Sequence, residues 1–198
     1  RSNYLFRSNT VIGDFMSGIV GDNTARASGV VASAGGGTIL GVKSQIDLTA
    51  FSKTGTTPSH LSQFDMTYAM TESDSKLLFT FAFVIGTGGS QTGCFYLYNN
   101  TSSTIVSPLG DSYQSRQQVS WGANASAGHA RSCAFYECWV SPGTTVSQNY
   151  LVYGACADSE TLYFNRSGTD SNTTSLDNAR AASSWTITEY AGSVVTLT

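Results

Sequence analysis

The sequence predicts an all-β, antiparallel β-sandwich, and three features of its composition and patterning lead there. Only 12% of the 198 residues are charged, against roughly 25% in an ordinary soluble domain. Lys occurs three times while Ser and Thr together occur 53 times, beside 20 Gly, 10 Tyr and 10 Phe, the reverse of the Glu-, Lys-, Ala- and Leu-rich make-up of helical bundles. From Thr38 onward short β-rich runs alternate with turn clusters, and no run has the length and period of a normal helix. With 40% hydrophobic and 12% aromatic residues the chain can bury a real core, and its length suits one domain of sandwich size.

Residues 1–37 carry short apolar pieces, Val11-Ile12 and Phe15-Met16, among Gly, Asn and Ala, and end at Gly35-Gly36-Gly37. They read as an N-terminal arm whose glycine triplet is a linker. The domain proper is residues 38–198. Its expected strands are Thr38 to Leu48, Gln63 to Met70, Lys76 to Ile85, Cys94 to Tyr98, Gln117 to Trp121, Cys133 to Val140, Tyr150 to Cys156, Thr161 to Asn165 and Ser184 to Tyr190. Turn chemistry separates them: Gly86-Thr87-Gly88-Gly89-Ser90 is permissive of positive φ, Asn99-Asn100-Thr101-Ser102 offers Asx turns, and Ser141-Pro142-Gly143 is a Pro-Gly turn. Alternation puts Trp185 and Ile187 on one face of the last strand and Thr186, Thr188 and Tyr190 on the other. Leu77 to Ile85 is apolar on both faces, so it is expected to be a central strand covered on both sides, one cover being the facing sheet and the other a neighbouring subunit.

Charge and cysteine usage exclude several functions. The net charge of −3, with Lys and Arg scattered singly, offers no basic stripe for phosphates, so neither nucleic acid nor an anionic membrane surface is an expected partner. The longest apolar run, Leu77 to Ile85, is about half a membrane span and is broken by Thr80, so no membrane insertion is expected. The N-terminus has neither an initiator Met nor an apolar signal region, which reads as a processed product or a piece of something longer. Cys94, Cys133, Cys138 and Cys156 lack the paired spacings of a zinc site and read as free, mostly buried thiols; Cys133 and Cys138, five apart in one strand, fall on opposite faces.

Catalytic and metal constellations are thin. His60 and His129 are the only histidines, both in Ser/Gly/Ala-rich sequence, and no Gly-x-Ser-x-Gly elbow occurs. Asp65, Glu72 and Asp74 cluster loosely around a turn without the marks of a glycosidase pair. The Asp170 to Asp177 segment has alternating oxygen ligands at Asp170 and Asn172. It fails the EF-hand template, which wants Gly and Glu where Ser175 and Ala181 stand. Asn-x-Ser/Thr triplets at Asn99, Asn100, Asn124, Asn165 and Asn172 are what chance supplies in such a composition. No catalytic residue, cofactor or metal is expected.

The run Thr161-Leu162-Tyr163-Phe164-Asn165-Arg166-Ser167-Gly168-Thr169-Asp170-Ser171-Asn172, followed by Arg180-Ala181-Ala182-Ser183-Ser184-Trp185-Thr186-Ile187-Thr188-Glu189-Tyr190-Ala191-Gly192, resembles a module of virion proteins from marine tailed bacteriophages. Ser75-Lys76-Leu77-Leu78, Gly110-Asp111 with Ser115-Arg116 and Ser120-Trp121-Gly122, and Val140-Ser141-Pro142 match the same family in order, so the likeness spans residues 38 to 192. Trp185, Tyr190 and the cysteines depart from it. The resemblance implies a jelly roll similar to tumour-necrosis-factor-like trimeric heads, on a phage fibre or capsid appendage. The implied function is a non-enzymatic structural protein of the virion surface, a homotrimer that touches other virion proteins through its arm and a host surface glycan or protein through its loops. A capsid decoration or tail component without a receptor role, and a virion-borne polysaccharide hydrolase, are the competing readings.

Overall fold

Strict alternation along β5 (Lys76–Thr87) decides the architecture. Leu77, Phe79, Phe81, Phe83 and Ile85 point inward and are fully buried, while the residues between them are half-buried on the opposite face. The structure is a computed structural model; it describes residues 38–193 and 195 apart from 90, 112–113, 115–116, 126–130, 158–159 and 172–179. The expected arm at residues 1–37, His129, Ser115-Arg116 and the span from Asn172 to Asp177 therefore lie outside the described residues.

One edge of β5 pairs with β9 (Ser132–Val140), in register from Leu77 opposite Val140 to Ile85 opposite Ser132. Its other edge is filled by two strands end to end: β12 (Ser183–Tyr190) along residues 76–82 and β11 (Thr161–Phe164) along residues 85–87. Beyond them β1 (Ile39–Asp47) pairs with β12, and β2 (Phe51–Thr54) with β11. The second sheet centres on β10 (Gln148–Cys156) and β6 (Gln91–Asn99), paired from Tyr150 opposite Asn99 to Cys156 opposite Gly93. The short strands β3 (Ser59–His60) and β4 (Met66–Tyr68) flank β10, and β7 (Thr104–Ile105) and β8 (Trp121–Ala125) flank β6. Every pairing is antiparallel, and the chain passes back and forth between two sheets, each four strands across, which is an all-β antiparallel jelly-roll sandwich.

Aromatic rings fill the space between the sheets. Phe81 stacks on Trp121 at 4.8 Å and on Trp185 at 5.3 Å, and Trp121 in turn stacks on Tyr136 at 4.6 Å. Phe64 stacks on Phe83 at 4.2 Å, and this contact explains one departure from the sequence reading. The expected strand Gln63 to Met70 is instead a 3-10 turn, Ser62–Phe64, followed by the three residues of β4. The turn swings Phe64 inward, where it also meets Phe51 and Phe164 edge-on. Likewise the strand expected at Gln117 to Trp121 is Trp121–Ala125: Phe95 pairs with Trp121, while Val119 spends its carbonyl on the Gly110 amide. Gly86, expected in a turn, belongs to β5; a Cβ there would sit 2.6 Å from the Arg166 carbonyl and 2.9 Å from the Ser167 Cα, so only Gly lets the Asn165 to Gly168 turn lie flush on the strand.

The seam between β11 and β12 is closed by side chains. Asn165, at φ 60°, donates its amide Nδ2 to the Asp47 and Thr49 carbonyls, both at 2.9 Å, and accepts the Ser183 hydroxyl at 2.6 Å. Ser183 Oγ accepts the Val84 amide and the Asn165 amide reaches the Val84 carbonyl, so Val84 keeps both bonds at the point where neither β11 nor β12 pairs with it. Asn165→Ala is expected to cost about 3 kcal/mol or more, because it orphans buried partners and puts Ala in a left-handed conformation. Asn165→Gly should recover about 1 kcal/mol of that by tolerating the conformation, in urea unfolding of the two variants side by side.

Candidate functional site

The sequence-predicted candidates do not converge. His60 lies in β3, half-exposed, with Nε2 2.5 Å from Asp65 Oδ1 and its ring 5.9 Å from Tyr153. It is thus a strand residue held by a carboxylate and not the loop histidine that its flanking sequence suggests. A His–Asp pair can activate a nucleophile only if a hydroxyl meets the other ring nitrogen, and none among the described residues bonds it. Asp170 is engaged by two guanidiniums, Arg180 at 2.6 Å and Arg166 at 3.7 Å, while Arg166 also lies over the Tyr163 ring at 4.0 Å. Those cations take up the charge that an ion would need. Among the described residues no three His, Cys, Asp or Glu side chains form a metal-sized cluster, and no helix is long and apolar enough to cross a membrane.

One acid that the sequence reading passed over is the most buried. Glu189 is fully enclosed on the inward face of β12. It accepts the Thr71 amide at 2.7 Å, the Thr71 hydroxyl at 3.0 Å and the Tyr68 hydroxyl at 2.9 Å, with the Glu72 amide at 3.4 Å. Burial alone raises its pKa; the donors around it, among them Thr71 and Tyr68, outweigh that and hold it below the ordinary carboxylate value. The Tyr68 hydroxyl moves the other way, pushed up by burial and by the adjoining carboxylate. The signal was present: Glu189 continues the Trp185 and Ile187 alternation, so it had to face inward.

The two outer faces of the sandwich differ in chemistry. On the first sheet Val42, Ile46 and Phe135 are exposed, each by more than half, and share a face with Leu78, Ala82 and Val84. Trp139 packs against Tyr190 at 5.2 Å on that face, and Thr80 donates to Glu137. The cover expected over the second face of β5 is not provided by any described residue. On the second sheet Tyr153 and Tyr96, directly opposite each other, stack at 5.2 Å with planes 7° apart, and Tyr98 meets Tyr153 edge-on at 5.3 Å. One step along the strands from the stacked pair, Cys94 and Ala155 help to line a cavity of about 230 Å³ with Thr56 and Gln117.

The four cysteines are less uniformly buried than expected: Cys138 and Cys156 are buried, Cys94 is half-buried and Cys133 is exposed. Cys133 faces out and Cys138 in, and Cys133 and Cys156 lie in different sheets. Burial pushes the Cys94 and Cys138 thiols up, Cys138 to about 12, so neither is a nucleophile at neutral pH.

No family model matches this sequence, and no curated protein matches it. Among solved structures, that of the infectious bursal disease virus Gx strain aligns at 11% identity and a TM-score of 0.38 over 77% of this chain and 41% of its own. The infectious bursal disease virus VP2 subviral particle aligns at 10% identity and 0.34 over 75% and 39%. The chain thus spans about two fifths of the structures it aligns with.

Because the folded state holds Glu189 below its ordinary pKa, its contribution to stability is full above the ordinary value and is lost as pH falls from there through the lowered folded-state value. Urea unfolding from about pH 6 down to about pH 3 should show declining stability, and Glu189→Gln should flatten that limb while costing about 2 kcal/mol at neutral pH. An acid limb unchanged in the variant would assign it to other carboxylates.

Proposed function

We propose that the protein is a non-enzymatic structural component of a bacteriophage virion, and that residues 38–198 form a trimeric fibre head at the particle surface that contacts the host. The single observation that carries the assembly is the open outer face of the first sheet. A central strand whose second side presents Leu78, Ala82 and Val84, flanked by exposed Val42, Ile46 and Phe135, leaves apolar area in water that a neighbouring copy would remove. Cyclic closure covers such a face on every copy without leaving an open-ended chain of contacts. The phage assignment rests on the resemblance in the Asn165-Arg166-Ser167 segment, whose physical role is the pinned seam between β11 and β12. A non-catalytic role agrees with the isolated His60–Asp65 pair and with the guanidinium-bound Asp170.

Size-exclusion chromatography with light scattering should give three chain masses at micromolar concentration. Phe135→Glu combined with Ile46→Glu, both at exposed positions and so harmless to the fold, should reduce this to one chain mass with an unchanged β-type circular dichroism spectrum. A wild-type monomer would remove the reading.

A further inference from the structure

The outer face of the second sheet carries a different kind of surface from the apolar one opposite. A single row crosses three strands: His60 on β3, Tyr153 on β10 and Tyr96 on β6, with Tyr98 one step to one side and the cavity of Cys94, Ala155, Thr56 and Gln117 one step to the other. The rings brace one another, Tyr153 being stacked on Tyr96, met edge-on by Tyr98 and tilted against His60, so the group is ordered before any ligand arrives and binding costs little side-chain entropy. His60 is balanced by Asp65, and no Lys or Arg stands on the outward positions of β6 and β10. At about 230 Å³ the cavity is smaller than the roughly 300–1,000 Å³ of pockets that enclose drug-sized ligands, and large enough for one ring. The Cys94 thiol stays protonated and lines this cavity as an unreactive surface.

We propose that this face, from the stacked Tyr96 and Tyr153 to the cavity lined by Thr56 and Gln117, binds a neutral saccharide. A hexose presents apolar C–H patches and a ring of hydroxyls; the tyrosine rings supply amphipathic contact with their own hydroxyls, and Gln117 and Thr56 supply an amide and a hydroxyl at the cavity. The balanced His60–Asp65 pair and the lack of Lys and Arg on the outward positions of β6 and β10 favour an uncharged sugar over an acidic one. A protein partner fits this surface less well, since among the described residues the large exposed hydrophobics of this sheet, Ile105 at the β7 edge and Val146 before β10, stand at its margins, while Val42, Ile46 and Phe135 all lie on the other sheet. The site rests on the host-contacting reading above and gives that contact its ligand class.

The test uses the purified chain and the methyl glycosides of glucose, galactose, mannose and N-acetylglucosamine, with methyl sialoside as the anionic control, by saturation-transfer NMR. At least one neutral glycoside should receive saturation, and its binding should weaken about tenfold in Tyr153→Ala and in Gln117→Ala. Gln117 is an exposed loop residue, so its variant keeps the test valid should Tyr153→Ala unfold. Saturation of none of the four, binding undiminished in Gln117→Ala, or binding of the sialoside alone would overturn the site. Light scattering separates this from the assembly: a trimer that binds no glycoside leaves the fibre head standing, and a monomer that binds one leaves only the saccharide site.

Discussion

The fold depends on keeping both backbone bonds of Val84 satisfied. Strand β5 runs for twelve residues, longer than either strand that pairs with its inner edge, so one column of the first sheet is made of β11 and β12 laid end to end. At the seam a buried amide and carbonyl would be left bare, at about 1–3 kcal/mol each. The Ser183 hydroxyl supplies the missing acceptor and the Asn165 amide the missing donor, and Asn165 reaches on to the Asp47 and Thr49 carbonyls where β1 gives way to β2. One side chain thus ties together the ends of β1, β11 and β12. Gly86 completes the arrangement by admitting the Arg166 carbonyl at a distance no Cβ allows.

The sandwich was legible where strands are long. The period-two pattern of Lys76 to Ile85 and of Ser184 to Tyr190 marks their buried faces, since Leu77, Phe79, Phe81, Phe83 and Ile85 on one and Trp185 and Ile187 on the other are large apolar groups, though β5 runs two residues past the expected end. It was not legible for β2, β3 and β7, which at two to four residues hold too few alternations to register. Ser62–Phe64 misled because a single deeply buried Phe reads the same whether it arrives on a strand or at the tip of a turn. Glu189 was readable in principle, but its buried state depends on donors from Tyr68 and Thr71, 118 residues or more away in sequence. The tyrosine row was unreadable for the same reason, because His60, Tyr153 and Tyr96 come from three separate strands.

The two outer faces divide the surface by chemistry. The first sheet turns out the exposed apolar Val42, Ile46 and Phe135 among hydroxyls and Glu137, and the second turns out tyrosine rings beside a small hollow. Between them the interlocked rings of Phe81, Trp121, Trp185 and Tyr136 hold the sheets at fixed spacing, so one face can change its contacts without deforming the other. Whatever either face meets, it meets as a rigid plate, with variation confined to the connecting loops.

The pairing of β1 with β12 also bears on how the chain folds. Ser44 and Thr186, hydrogen-bonded across that ladder, are 142 residues apart, so the first strand of the sheet waits for nearly the whole domain to be synthesised before its partner exists. Closing so long a loop is an entropic barrier met before any of the stabilising contacts form, and topologies dominated by such distant pairs fold on the slower millisecond-to-second scale. During that interval β5 is exposed with apolar side chains on both faces, so the nascent chain is most prone to aggregate before its last strand docks.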